Sequence, residues 1–177
     1  VPSFGSNSPF LLIVGLAPGM HGANNTGRPF TGDHAGILLY KALYKYGFSN
    51  KPESIHKDNL KLINCRITNA VKCLPPENKP TTGEINNCNT YLVNELGELR
   101  AGSIILALGT IAHNAILKAF HLVRSNYEFS HGSRHILPNG LILYDSYHCS
   151  RYNTQTKRLT EAMFFEIFLT ITKERGK

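Results

Sequence analysis

Three segments of the chain concentrate side chains that can do chemistry. The stretch from Gly15 to Gly36, GLAPGMHGANNTGRPFTGDHAG, sets His21, Asn24, Asn25, Arg28, Asp33 and His34 around a lone aromatic, Phe30. A glycine-rich loop suggests a phosphate cradle, but this one lacks the Gly-Lys-Ser/Thr ending of a P-loop and the glycine spacing of a dinucleotide fingerprint. Phe30 is costly to leave in water; it serves either as a core anchor or as a platform on which a planar ring stacks. Asn69, in RITNAVKC, carries an amide whose donor and acceptor suit the edge of a nucleobase. An asparagine that bonds nearby backbone is the plainer alternative. His148, in DSYHCSRYNTQTKR, stands where an imidazole can stabilise developing negative charge, or be an ordinary part-buried histidine. Ser150, Arg151, Lys157 and Arg158 follow it in a polar, basic run that reads as a phosphate-contacting surface.

These segments need elements to bring them together. The apolar runs FLLIVGL (10–16), RITNAV (66–71), SIILALG (103–109) and LILYDS (141–146) read as buried parallel strands. Helical patterns lie between them. One runs from Asp33 to Tyr46 and stops at Gly47; a second starts at Thr81 or Thr82 and reaches Leu96; a third follows Gly109; the last begins after Thr160. Alternation of strand and helix predicts an α/β fold, a three-layer α/β/α sandwich on a central, mainly parallel four-stranded sheet. The stretch GSRHILPNGLILYDS adds an expected hairpin with its turn at PNG. Ligand sites in such sheets lie outside the carboxyl ends of the strands, which is where all three chemical segments fall.

Length and charge bound the answer. The 177 residues, 42% hydrophobic, predict one domain over 1–177. No apolar run is long enough to cross a bilayer, so a soluble, cytoplasmic monomer is expected, nucleoid-associated in a bacterium. A formal charge of +7 favours polyanions such as nucleic acid, although a merely basic protein has the same charge. Cys65, Cys73, Cys88 and Cys149 read as reduced thiols or cluster ligands rather than disulfides.

Taken together, GLAPGMHGANNTGRPFTGD, ITNAVKCLPPENKPT and SYHCSRYNTQTKRLT resemble the motifs of the family 5, or B-type, uracil-DNA glycosylases, in the correct order over nearly the whole chain. The resemblance implies a monofunctional base-excision enzyme that cuts the N-glycosidic bond of uracil, and often of hypoxanthine, in a nucleotide flipped out of DNA. It implies that Asn69 reads the uracil edge, that His148 donates to the uracil oxygen, and that Phe30 stacks on the base beside Ala17. Leu16 and Ala17 stand where other glycosylases of the superfamily place a carboxylate, which leaves Asn24 and His21 as the nearest polar groups to hold water. Asp33, at a helix head, serves equally well as an N-cap. Arg151, Lys157 and Arg158 are expected on DNA phosphates.

The resemblance also implies that Cys73 and Cys88 are half of a four-cysteine set for a structural 4Fe-4S cluster, the other two cysteines lying upstream of Val1, with no metal in catalysis. Cys65 and Cys149 are expected as small buried residues. The family usually has proline where this chain has Cys149, and loss of that fixed φ puts the rigidity of the loop in question. Two readings compete with catalysis: a relative that binds DNA lesions without cutting, and a nucleotide-processing enzyme.

Overall fold

The computed structural model describes residues 1–175, with Asn78 described by its backbone alone. Six strands form one sheet: β1 (Phe4–Gly5), β2 (Leu11–Gly15), β3 (Cys65–Asn69), β4 (Ile104–Leu108), β5 (Arg134–Ile136) and β6 (Ile142–Ser146), in the order β1-β3-β2-β4-β6-β5. The four expected strands are the central four, and all their mutual pairings are parallel.

The sheet therefore has six strands, not four. The two additional strands are antiparallel edges of two and three residues whose side chains alternate between part-buried and exposed. Strands this short, with one side facing water, leave no apolar run to read. The hairpin at PNG did form: β5 and β6 pair across a turn closed by Leu137 N–H to Leu141 O at 2.9 Å and Gly140 N–H to Leu137 O at 3.0 Å.

Helices cover both faces. Leu11 and Ile13 point into one core with α2 (His34–Lys45) and α6 (Glu161–Glu174), while Leu12 and Val14 point into a second core with α3 (Thr82–Gly97) and α4 (Thr110–Ala119). A strand with period-2 side chains and no polar face needs this double cover. Local chemistry sets the helix starts. Thr81 Oγ accepts from Glu84 N–H at 3.2 Å and Glu84 Oε2 from Thr81 N–H at 2.7 Å, a reciprocal capping box, and Thr160 Oγ accepts from Met163 N–H at 3.2 Å. Two single-turn helices, α1 (Ala23–Thr26) and α5 (Arg151–Gln155), interrupt the loops at the carboxyl edge. Among the described residues no helix is long and apolar enough to cross a membrane.

Candidate active site

Register places Gly15 beside Asn69 at the carboxyl ends of β2 and β3, and Leu108 beside Ser146 at those of β4 and β6. Pairing runs past the strands, with Ala70 N–H to Gly15 O at 2.9 Å and Val71 N–H to Leu16 O at 3.0 Å, so the backbone under Asn69 is rigid. Asn69 is 4% exposed, and its Oδ1 is a buried side-chain atom without a hydrogen-bond partner. Such an acceptor costs about 1–3 kcal/mol unless something donates to it. The plain alternative for this asparagine, a bond to local backbone, is not satisfied at that atom.

Phe30 meets Asn69 over Gly15. A Cβ at Gly15 would lie 2.5 Å from Asn69 Oδ1 and 2.6 Å from Phe30 Cζ, so only glycine leaves room for both. The Phe30 ring in turn stacks on His148, with centroids 5.9 Å apart and planes at 29°. Phe30 is thus a buried core ring, 6% exposed, that lies between Asn69 and His148.

The backbone at Phe30 is strained. Arg28 to Thr31 form a turn closed by Thr31 N–H to Arg28 O at 3.3 Å, with Pro29 second and Phe30 third at φ +56°. A proline followed by positive φ is the type II pattern, which favours glycine in the third place; a phenylalanine there costs about 1–3 kcal/mol. Asp33 stands at the N-cap position of α2 but makes no cap bond there. Its Oδ2 instead accepts from Ala23 N–H at 3.3 Å, and its Oδ1 fills the space where a Gly22 Cβ would lie, only 1.6 Å away. Burial raises its pKa, opposed by the Ala23 bond. The N-cap expected from sequence is replaced by a brace across the loop.

His148 follows β6. Burial lowers its pKa to about 4, so the imidazole is neutral at neutral pH and retains one N–H donor. Asn153 Nδ2 donates to His148 O at 2.9 Å, while Ser150 Oγ caps α5 by accepting from Asn153 N–H at 3.2 Å. Upstream, Tyr147 N–H donates to His131 Nδ1 at 3.0 Å, and the two rings stack 4.8 Å apart. Cys149 is fully buried, and burial pushes its thiol up to about 12. The loop is therefore pinned on both sides of the missing proline. Arg151, Lys157 and Arg158 are exposed beside it, Arg158 lying 4.7 Å over the Tyr147 ring.

Other expected residues sit apart. Asn24 and His21 are exposed and, among the described residues, make no side-chain hydrogen bond; Ala17 is part-buried at the edge of the same loop. Cys73 and Cys88 line one cavity of about 460 Å³ together with Val1, Pro2 and Lys72, and neither Asn69 nor His148 is in its lining. Cys65 is buried among core residues, and its thiol is raised by burial. A cavity of about 770 Å³ lies between α2 and the 52–54 loop and meets the site at the loop from Phe30 to His34.

The sequence reading missed two supports. Asp58 anchors Arg28 at 2.7 Å, and Asp145 on β6 holds His113 Nδ1 at 2.6 Å and His135 Nε2 at 3.0 Å. The latter three bring one ligand atom each within 4.8 Å, but two ligands of a tetrahedral zinc stand roughly 3.3 Å apart, so the 2.6 Å contact is a hydrogen bond. Asp58 lies outside all three chemical segments and Asp145 opens the third, three residues before His148, but only the pairing across the fold reveals what either one holds.

The carboxyl edge of the sheet thus joins an orphaned buried amide, a stacked ring and a neutral imidazole to a basic loop, where ligand sites of such sheets lie. Comparison with known proteins gives the family. The profile of the Uracil DNA glycosylase superfamily matches residues 2–171, and the chain belongs to that superfamily. The type-5 uracil-DNA glycosylase of Thermus thermophilus is 47% identical over 176 residues, 99% of this chain and 80% of that protein. That of Pyrobaculum aerophilum is 41% identical over 177 residues, 99% of this chain and 76% of that protein. A type-4 uracil-DNA glycosylase of the same archaeon is 37% identical over 119 residues, 67% of this chain and 53% of that protein.

Proposed function

We propose that this chain is a DNA base-excision glycosylase that hydrolyses the N-glycosidic bond of uracil flipped out of DNA. The observation that carries the reading is Asn69 Oδ1, a buried acceptor with no partner. Uracil presents an N–H at its pairing edge and satisfies that atom, whereas cytosine presents a lone pair there and does not. Phe30 stacks on the base, with Ala17 at the edge of the pocket. Arg151, Lys157 and Arg158 hold the phosphates, with the Ser150 hydroxyl beside them, and offset the few kcal/mol that extrusion costs.

Cleavage breaks the bond between the base nitrogen and the sugar. The bonding pair moves onto the uracil, a water oxygen bonds to the anomeric carbon, and the water proton is released. A neutral His148 donates its N–H to the uracil oxygen where this charge develops; one such donor is worth roughly 3 kcal/mol. Asn24 and His21, exposed at the loop, are the groups proposed to hold the water.

Cys73 and Cys88, which line one cavity with Val1, are proposed as two thiolate ligands of a structural 4Fe-4S cluster, a group that takes four. Bound there, the cluster would tie the segment before α3, through Cys73, to α3 itself, through Cys88. The hydrolysis is redox-neutral, so the cluster's part would be structural.

The type-5 and type-4 relatives named above are all glycosylases, which favours cleavage over lesion binding without turnover. Incubation with a uracil-containing duplex is expected to leave alkali-labile abasic sites, and no product opposite any base would sink the proposal. Asn69→Ala and His148→Ala are each expected to lower single-turnover cleavage at least about tenfold with binding to undamaged DNA little changed. Extension to hypoxanthine and xanthine is part of the proposal, and a base-by-base excision panel measures it.

A further inference from the structure

We infer that Asp58, through Arg28, is a positioning residue of the base pocket: it clamps the strained Phe30 turn so that the ring lies against His148 before DNA arrives. The inference rests on the glycosylase reading above for its consequence in rate, and on geometry alone for the clamp.

Phe30 has positive φ in a turn that alanine-like residues avoid, so the local chain relaxes unless its neighbours hold it. Every residue of the turn is held. Arg28 Nη1 donates to Asp58 Oδ1 at 2.7 Å and to Ser54 Oγ at 2.9 Å, while its guanidinium lies 4.5 Å over the Phe4 ring. Pro29 O accepts from the buried Tyr40 hydroxyl at 2.8 Å. Thr31 Oγ1 shares a 2.6 Å hydrogen bond with Ser54, and Thr31 O accepts from Thr26 Oγ1 at 3.0 Å. From behind, α2 presses on the turn: a Cβ at Gly36 would lie 1.8 Å from Phe30 O.

Among these contacts Asp58 is the one that organises others. Its carboxylate also accepts from Ile55 N–H at 2.7 Å and Leu60 N–H at 3.1 Å, so it fixes the 54–60 loop and presents Ser54 to both Arg28 and Thr31. Burial works against its charge, but the bonds from Ile55, Arg28 and Leu60 outweigh it and hold the carboxyl below its ordinary range. With side-chain exposures of 18% and 12%, the Arg28–Asp58 pair is shielded enough to keep its geometry. The loop thereby extends the base pocket's support to a segment outside all three motifs.

A double-mutant cycle tests this in the intact protein with Asp58→Asn, Phe30→Ala and the pair. Asp58→Asn is expected to lower single-turnover excision of uracil about tenfold, as a displaced pocket wall would, with affinity for undamaged DNA unchanged. In the Phe30→Ala background the same substitution is expected to cost less than twofold. The imidazole carbon-bound proton of His148, shifted by the Phe30 ring current, is expected to move in Asp58→Asn in the same direction as in Phe30→Ala. A wild-type rate in Asp58→Asn, full additivity in the cycle, or an unmoved His148 resonance would each overturn the inference. If Asp58→Asn does not fold, Ser54→Ala removes the shared tether and is held to the same three outcomes. Should the wild-type protein leave uracil DNA intact, the glycosylase reading fails while the His148 resonance still decides the clamp.

Discussion

Gly15→Ala probes the pocket at its tightest point. The added methyl would lie 2.5 Å from Asn69 Oδ1 and 2.6 and 2.7 Å from Phe30 Cζ and Cε2, where ordinary contact begins at 3.4 Å. The β2–β3 pairing holds Gly15 and Asn69 in register, so the side chains must retreat rather than the backbone. Phe30 has to move by roughly 1 Å, a misplacement that costs about 100-fold in rate when it occurs at a reacting site. Overpacking of this size destabilises by about 1–3 kcal/mol, so the fold should survive. The assay is single-turnover release of uracil from a duplex under saturating enzyme, with chemical denaturation run in parallel. Gly97→Ala is the control, because a Cβ there meets nothing within 4 Å. A folded Gly15→Ala protein that cuts at the wild-type rate would refute the idea that Asn69 and Phe30 jointly form the base pocket.

Three further outcomes follow from the same structure. Burial lowers the His148 pKa to about 4, so the unfolded chain takes up this proton near pH 6.5 and the folded chain does not. The contribution is full above pH 6.5 and is lost as the pH falls toward 4; between pH 7.5 and 5 it amounts to about 2 kcal/mol, which His148→Gln should remove from the acid-induced loss of stability. An identical acid sensitivity in denaturant titrations of both proteins would contradict this. Arg151→Ala, Lys157→Ala and Arg158→Ala should each reduce the slope of log affinity for DNA against log salt by about 0.9, and unchanged slopes would remove those side chains from the phosphate contacts. Cys73→Ser with Cys88→Ser should abolish iron and acid-labile sulfide in anaerobically purified protein, and iron retained at the wild-type level would exclude them as ligands.

Much of the frame was legible because its signals are local. The four central strands are buried on both faces and so announce themselves as apolar runs; Thr81 with Glu84 and Thr160 mark helix starts by hydrogen bonds made within one turn. The edge strands β1 and β5 were not legible, since two or three half-exposed residues have no pattern until a neighbour pairs with them. Asp33 shows the limit of local rules: its type and place specify an N-cap, yet the glycines at 19 and 22 open a nearer partner in Ala23.

By itself the sequence determined which chemical groups the protein owns and which strand ends carry them: an amide at Asn69, an imidazole at His148, a ring at Phe30, and cations after Ser150. The tertiary structure decided what those groups are able to do. Burial leaves Asn69 Oδ1 without a donor and keeps His148 neutral, Gly15 lets amide and ring meet, and Asp58 reaches across thirty residues of chain to hold Arg28. Desolvation, orphaned hydrogen bonds and steric room are properties of surroundings assembled from distant segments, and no single stretch of chain contains them.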